Sequence, residues 1–595
     1  MKSFIDFVNG RPYINVDGES LAPVAYTTYF DECGEYQDFA EKGCRMYFVN
    51  VSFTTLPINN MTGFSPFLSG VFENEEPDFS ELDKNVSRVL EVCPDALIFP
   101  RINISMPGRW TEQNLYETVK TVNGGYRESM YSEVFRRDAS QLLEILVSHI
   151  RSSPYAENIA GYQLCGGTTQ EWFHHDLYGS FSEMGLEKFR LWLEEKYGYK
   201  DEVKLEKADL EHGKFSEMSR YFALFSCEMT AKTAEYFAMK LKKYINNEQI
   251  VGIFYGYNAF VNDYLWGHQG LRHIIRSPYI DFFSSPCAYD NMRVFGIDWG
   301  DMIPVDSVKH NKKLSFIECD IRTHLTKSLH SMRPGMYSED FYTLTDTNGN
   351  KTIWAGPETE ELSLSAVRKA FTHQLIKASG VWWFDMWGGW YHSEALMNEI
   401  EKMKDIAEAS VNKNAQEFPS AQTVVFVDEA AFSNLPRGHH LNGAPSGTRI
   451  NMGKTGIPFD LCMVEDAPSL TNKYRAAIFT AASPSESGKR ALELFREKGI
   501  YCLEISEEKT HYPTQELRSL LTDAGAHCYI DTNDVIYSGN GFLGIHASSD
   551  GEKNIRLPER FSVRQLLGGD MYAENTDSIR LYMKKYETVL FELYK

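Results

Sequence analysis

Short apolar runs recur along the first two thirds of the chain, bounded by Gly, Pro, Asn or Asp, and between them lie stretches whose apolar positions return every three to four residues. Runs of the first kind read as buried strands, and stretches of the second kind as amphipathic helices. Strands are predicted at 21–27, 45–50, 96–104, 159–164, 249–255, 281–285, 313–318 and 380–384, and helices at 80–92, 138–151, 216–246 and 358–378. Alternation of this kind lays successive strands parallel under a cover of helices, and eight such strands close into a (β/α)8 TIM barrel. Ahead of the first run, residues 5–20 alternate around Asn9-Gly10 and Asp17-Gly18, which predicts a short hairpin. The segments after strands three and four, 105–133 and 171–214, are long and rich in aromatic and polar residues. They fall at the barrel face where this fold builds active sites.

Past residue 415 the pattern changes. Apolar runs at 423–427, 476–480 and 500–504, with a helix at 485–498, predict a smaller flavodoxin-like α/β unit. It has no G-x-G-x-x-G or P-loop, so no nucleotide site is expected there. Alternation at 535–537, 542–545 and 586–594 predicts a small β-rich sandwich or sheet. The expected division is 1–415 for the hairpin and catalytic barrel, 416–530 for the flavodoxin-like unit, and 531–595 for the β-rich end.

Charge narrows the partners. A net charge of -22 without a dense basic run argues against nucleic acid and anionic membranes, and a neutral substrate fits it. The opening MKSFIDFVNG lacks a signal-peptide pattern, and no run of about 18 apolar residues occurs. Ten scattered cysteines without a C-x-x-C pair predict reduced thiols, and hence a cytoplasmic protein. No cofactor is expected.

The candidate chemistry sits at strand ends. Strand four runs into Gln170-Glu171-Trp172, and strand seven ends on Glu318 followed by Cys319-Asp320. Two carboxyls facing each other across a barrel mouth suit glycosidic cleavage, in which one protonates the leaving oxygen and the other attacks or stabilises the anomeric carbon. Arg101 and Asn103 close strand three and are candidates to grip hydroxyls. Tyr255 and Tyr257 end strand five, Tyr289 and Asp290 follow strand six, and strand eight carries Trp382, Trp383, Trp387 and Trp390. His174-His175-Asp176 lacks a zincin spacing, so no metal is expected, and the absence of a G-x-S-x-G elbow argues against a serine hydrolase.

Carboxylates at the ends of strands four and seven resemble the large clan of retaining barrel glycosidases. The order of barrel, flavodoxin-like unit and small β domain is similar to the trimeric β-galactosidases of glycoside hydrolase family 42 and to related β-mannosidases. The resemblance implies Glu171 as acid/base, Glu318 as nucleophile, Tyr289 donating to that nucleophile, and a platform from Trp383 or Trp387 under the sugar. It also implies that the middle domain mediates a trimer. Where the clan places Asn before the acid/base this chain has Gln170, with the same donor and acceptor at longer reach. Trp172 is expected to bury Glu171 and raise its pKa. The expected activity is exo-acting hydrolysis of a terminal β-linked sugar by double displacement; transglycosylation on the same barrel and a catalytically silent carbohydrate-binding protein are the alternatives.

Overall fold

The computed structural model describes residues 1–259, 263–289, 293–414 and 418–595. Asp290 and the expected boundary at 415/416 lie outside the described residues.

Eight parallel strands close a barrel in chain order: β1 Val24–Thr27, β2 Met46–Ser52, β3 Leu97–Asn103, β4 Gly161–Cys165, β5 Ile250–Phe254, β6 Phe282–Pro286, β7 Leu314–Cys319 and β8 Gly380–Phe384. The ring closes where Val24 of β1 pairs with Val381 of β8. The strand predicted from 21 begins three residues later because Pro23 has no N–H to offer the ladder; its carbonyl still accepts from Val381 N–H at 2.8 Å. Leu21 pairs instead with Ile14, so the predicted hairpin is a three-stranded antiparallel meander of Ser3–Val8, Arg11–Val16 and Glu19–Leu21.

Alternation along each strand sorts side chains into two cores. Phe48, Phe99, Phe282, Phe316 and Trp382 fill the barrel, together with Ile14 and Val16 of the meander, which closes the N-terminal end. Phe48 stacks on Phe99 at 5.0 Å and on Trp382 at 4.8 Å. The other parity, including Tyr47, Ile102, Leu164, Ile317 and Trp383, packs outward against the helices.

Those helices start at readable caps. The 20-residue helix Glu133–Ser152 begins five residues before its predicted start because Ser132 accepts from Phe135 N–H at 2.8 Å. Glu217–Tyr244 is capped by Ser216 and Glu360–Lys377 by Thr359, while Ser80–Val92 falls on its predicted bounds. No helix among the described residues is long and apolar enough to cross a membrane.

Beyond the barrel, β9 Thr423–Val427, β10 Phe459–Met463, β11 Ala476–Phe479 and β12 Tyr501–Glu504 form a parallel sheet in the order β10-β9-β11-β12, a flavodoxin-like arrangement. The last part is one antiparallel sheet rather than a sandwich. It is built from β13 Val535–Gly539, β14 Phe542–His546, β15 Gly551–Leu567, β16 Tyr572–Met583 and β17 Thr588–Tyr594 in the order β13-β14-β17-β15-β16.

Candidate active site

Glu318 is the fifth residue of β7, in register with Pro286 on β6 and Trp382 on β8. Regular pairing on both sides fixes its backbone, and its side chain is 3% exposed. Tyr289 hydroxyl donates to Oε1 over 3.5 Å, and the buried Oε2 has no hydrogen-bond partner among the described residues. Burial pushes the carboxyl well above its ordinary range, Asp320 and Glu171 add to that, and Arg101 and Arg293 oppose it.

Glu171 reaches the mouth by another route. β4 ends at Cys165, six positions earlier, and the chain doubles back through an isolated bridge between Thr168 and Phe173. Trp172 N–H donates to Gly166 carbonyl at 2.6 Å and Trp172 Nε1 to Leu164 carbonyl at 3.3 Å. Thr169, Gln170 and Trp172 have φ of 60°, 67° and 62°, left-handed values costing non-glycine residues about 1–2 kcal/mol each. Tyr257 hydroxyl donates to Glu171 Oε1 at 2.7 Å and Thr169 hydroxyl to Oε2 at 2.5 Å. The carboxyl keeps an opening to solvent, yet its dense surroundings push its pKa up to about 7. Desolvation is the main cause; the Thr169 and Tyr257 hydrogen bonds and Arg101 oppose it, and Asp320 reinforces it.

Further charged groups act on the two carboxyls. Asp320 forms an ion pair with Arg293 at 2.6 Å and accepts from Arg322 at 2.5 Å. Arg101, 1% exposed, sits among the rings of Tyr29, Phe254, Trp382 and Phe384 at 5.0–5.5 Å, with Nε and Nη1 unpartnered among the described residues. It feels the charge of Glu318 on β7 and lowers the pKa of both glutamates. A cavity of about 500 Å³ adjoins the site between the loops after β6 and β7, sharing Tyr289, Arg293 and Arg322 with it.

Of the residues singled out from sequence, Glu171, Glu318, Arg101, Tyr257 and Tyr289 converge here. The others are buried. Trp172 is fully buried against Phe237 of the outer helix layer, because the doubled-back loop turns its indole under β4. Trp383 has the outward parity and packs on Tyr391; the inward indole is Trp382. Trp387 is fully buried and donates Nε1 to Lys327 carbonyl at 3.0 Å. Asn103 amide donates to Ser52 hydroxyl at 2.9 Å, tying β3 to β2. Tyr255 hydroxyl donates to Gly267 carbonyl. Gln170 is buried, with both amide atoms unpartnered among the described residues. His174 engages Ser180, Ser226 and Thr230, His175 lies between Asn60 and Glu128, and Asp176 accepts three backbone N–H bonds from the turn it caps.

Two features escaped sequence reasoning. The loop after β7 carries Tyr342 and Trp354, stacked at 4.4 Å, with Trp354 over Trp387 at 5.3 Å and under the Arg322 guanidinium at 5.0 Å. Both rings are part-exposed, and Tyr342 senses the charge of Glu171. The second is His268, in the strap after β5, whose Nε2 meets the carbonyl of Glu171 at 2.5 Å. The only hint at the first was the density of aromatics in an interhelical loop; His268 gave none.

No family model matches the sequence. No curated protein matches it either. Solved structures do. Gan42B, a GH42 β-galactosidase from G. stearothermophilus, superposes with a TM-score of 0.62 at 10% identity, covering 100% of both chains. A β-galactosidase from Bacillus circulans sp. alkalophilus gives 0.59 at 12% identity over 96% of this chain and 99% of its own. The cold-adapted β-galactosidase of Rahnella sp. R3 gives 0.59 at 10% identity over 100% of both. The chain therefore shares the fold of GH42 β-galactosidases along its whole length, barrel and additional sheets together.

Proposed function

We propose that this chain is a glycoside hydrolase acting on terminal β-linked sugars, with Glu171 as general acid/base and Glu318 as nucleophile. The observation that carries the reading is the convergence of one carboxyl from the β4 loop and one from the end of β7 on the same mouth, each with a tyrosine hydroxyl as partner. The shared fold supports it.

In this mechanism Glu171, protonated, gives its proton to the glycosidic oxygen as Glu318 attacks the anomeric carbon, forming a glycosyl ester. Glu171, now ionised, takes a proton from water, which attacks the same carbon and releases Glu318. A pKa raised to about 7 suits the first step, since the carboxyl holds its proton near neutral pH. Glu318 must be ionised to attack. Burial and the neighbouring negative charges of Asp320 and Glu171 work against that, and the place of Glu318 at the end of β7 is what supports its role as nucleophile. Arg101 and Arg293 supply the positive charge that favours ionised Glu318. Tyr342 and Trp354 offer apolar faces on which a sugar ring can stack, the part expected of Trp383 and Trp387.

The test is a screen of purified protein against aryl β-galactoside, β-mannoside, β-glucoside and α-linked controls, with Glu318→Ala alongside. Hydrolysis of a β-glycoside, lost in Glu318→Ala and restored by azide with formation of the α-glycosyl azide, is the expected outcome. Silence of the wild type on every substrate overturns the reading in favour of a binding role. An added acceptor distinguishes transglycosylation, and light scattering tests the trimer.

A further inference from the structure

Loop carboxylates need something to hold them, and the backbone of Glu171 is held from outside its own loop. His268 follows the short helical turn Tyr264–Trp266 and Gly267, whose φ of 96° swings the strap across the mouth. Its ring stacks on Tyr255 at 4.6 Å and against Phe173 at 4.1 Å. Tyr257 N–H donates to Nδ1 at 3.3 Å, so Nδ1 carries no proton; the proton lies on Nε2, which donates to Glu171 carbonyl at 2.5 Å. The same imidazole thus grips the backbone of Glu171 and of Tyr257, whose hydroxyl holds the Glu171 carboxyl at 2.7 Å. A second tie runs alongside, from His174 N–H to Trp266 carbonyl at 3.2 Å.

We infer that His268 is a positioning residue for Glu171: as a neutral, Nε2-protonated imidazole it closes a ring of contacts running from Glu171 carbonyl through the Tyr257 backbone to the Glu171 carboxyl. The inference rests on the reading of Glu171 as acid/base. Three left-handed residues give this loop reason to relax, and the loop itself gives the Glu171 backbone only a 3.4 Å bond from its N–H to the Thr168 carbonyl, among the described residues. Burial holds His268 neutral, its pKa pushed down to about 3, so both hydrogen bonds persist across the working pH range.

The discriminating pair is His268→Gln and His268→Asn in the full chain. Gln places an amide N–H near the Nε2 position; Asn keeps only an acceptor for Tyr257 N–H. The first readout is the titration of the Glu171 carboxyl by ¹³C-glutamate NMR, assigned with Glu171→Gln, against the fixed surroundings of Arg101, Tyr257, Tyr289, Glu318, Asp320 and Tyr342. In His268→Asn the carboxyl escapes toward solvent and its pKa falls by about one unit; in His268→Gln it stays. The second readout is kcat/KM on aryl β-glycosides. His268→Asn loses about 10–100-fold on a phenyl leaving group, which needs the proton, and little on 2,4-dinitrophenyl, which does not.

Unchanged titration and an unchanged leaving-group profile in His268→Asn overturn the inference, as does equal loss in Gln and Asn. If His268→Asn fails to fold, ¹⁵N shifts of wild-type His268 decide: an Nδ1–H tautomer, or protonation above pH 5, overturns it. A wild type inactive on all glycosides fails the functional reading and the inference with it. Activity with an unmoved Glu171 fails the inference alone.

Discussion

Glu171 and Glu318 are the same residue type facing one mouth, yet they are held in opposite ways. Glu318 belongs to a strand paired on both sides, and its position follows from the barrel. Among the described residues its carboxyl is sparsely partnered, with one long hydrogen bond and one orphan oxygen. Glu171 belongs to no strand; its backbone depends on a strained loop and an imidazole strap, while its carboxyl is fully partnered by two hydroxyls. A rigid anchor with free oxygens suits a group that must form a bond. A soft anchor with held oxygens suits one that must gain and lose a proton in place.

Substitutions break this comparison in graded steps. Glu318→Ala removes the attacking atom, and kcat should fall by about 10⁵-fold or more, recoverable in part with azide. Glu171→Ala should cost about 10²–10⁴-fold, concentrated on poor leaving groups and visible in a Brønsted plot. Glu171→Gln should also raise stability near neutral pH. The folded-state pKa of about 7 lies above the unfolded value, so the protonated native state is favoured at low pH and that stabilisation is lost as pH rises from about 4.5 to 7. Denaturant melts should show Glu171→Gln gaining about 1–3 kcal/mol at pH 7.5 and little at pH 4.5.

Tyr257→Phe removes a hydrogen bond that lowers the pKa of Glu171, so the basic limb of kcat/KM should move to higher pH. Tyr289→Phe removes only a 3.5 Å contact and should cost under about tenfold in kcat. A larger loss from Tyr289→Phe than from Tyr257→Phe would reverse the contrast drawn between the two anchors.

The same contrast explains what was legible in sequence. Residues in or at the end of a barrel strand, such as Arg101 and Glu318, are placed by a period of two and a strand count. Parity along strand eight was not legible, because a strand buried on both faces has no polar side to mark direction; Trp382 and Trp383 differ only in which core they enter. The strand Phe459–Met463 was missed because Asp460 interrupts its apolar run, and only the structure supplies the lysines, Lys377 and Lys473, that pair with it. Loop contacts obey no period. The doubling back that buries Trp172, the Tyr342–Trp354 stack and the reach of His268 across the mouth depend on strands far apart in sequence.

The closure of β1 on β8 bears on how the protein is made. Val24 leaves the ribosome early, but its ladder partner Val381 and the Trp382 that stacks on Phe48 come much later. At roughly 5–20 residues per second the first strand waits tens of seconds with an open edge and half its aromatic core missing. The nascent barrel is therefore an arc through most of its synthesis, and the danger to it is a neighbouring arc on the same polysome.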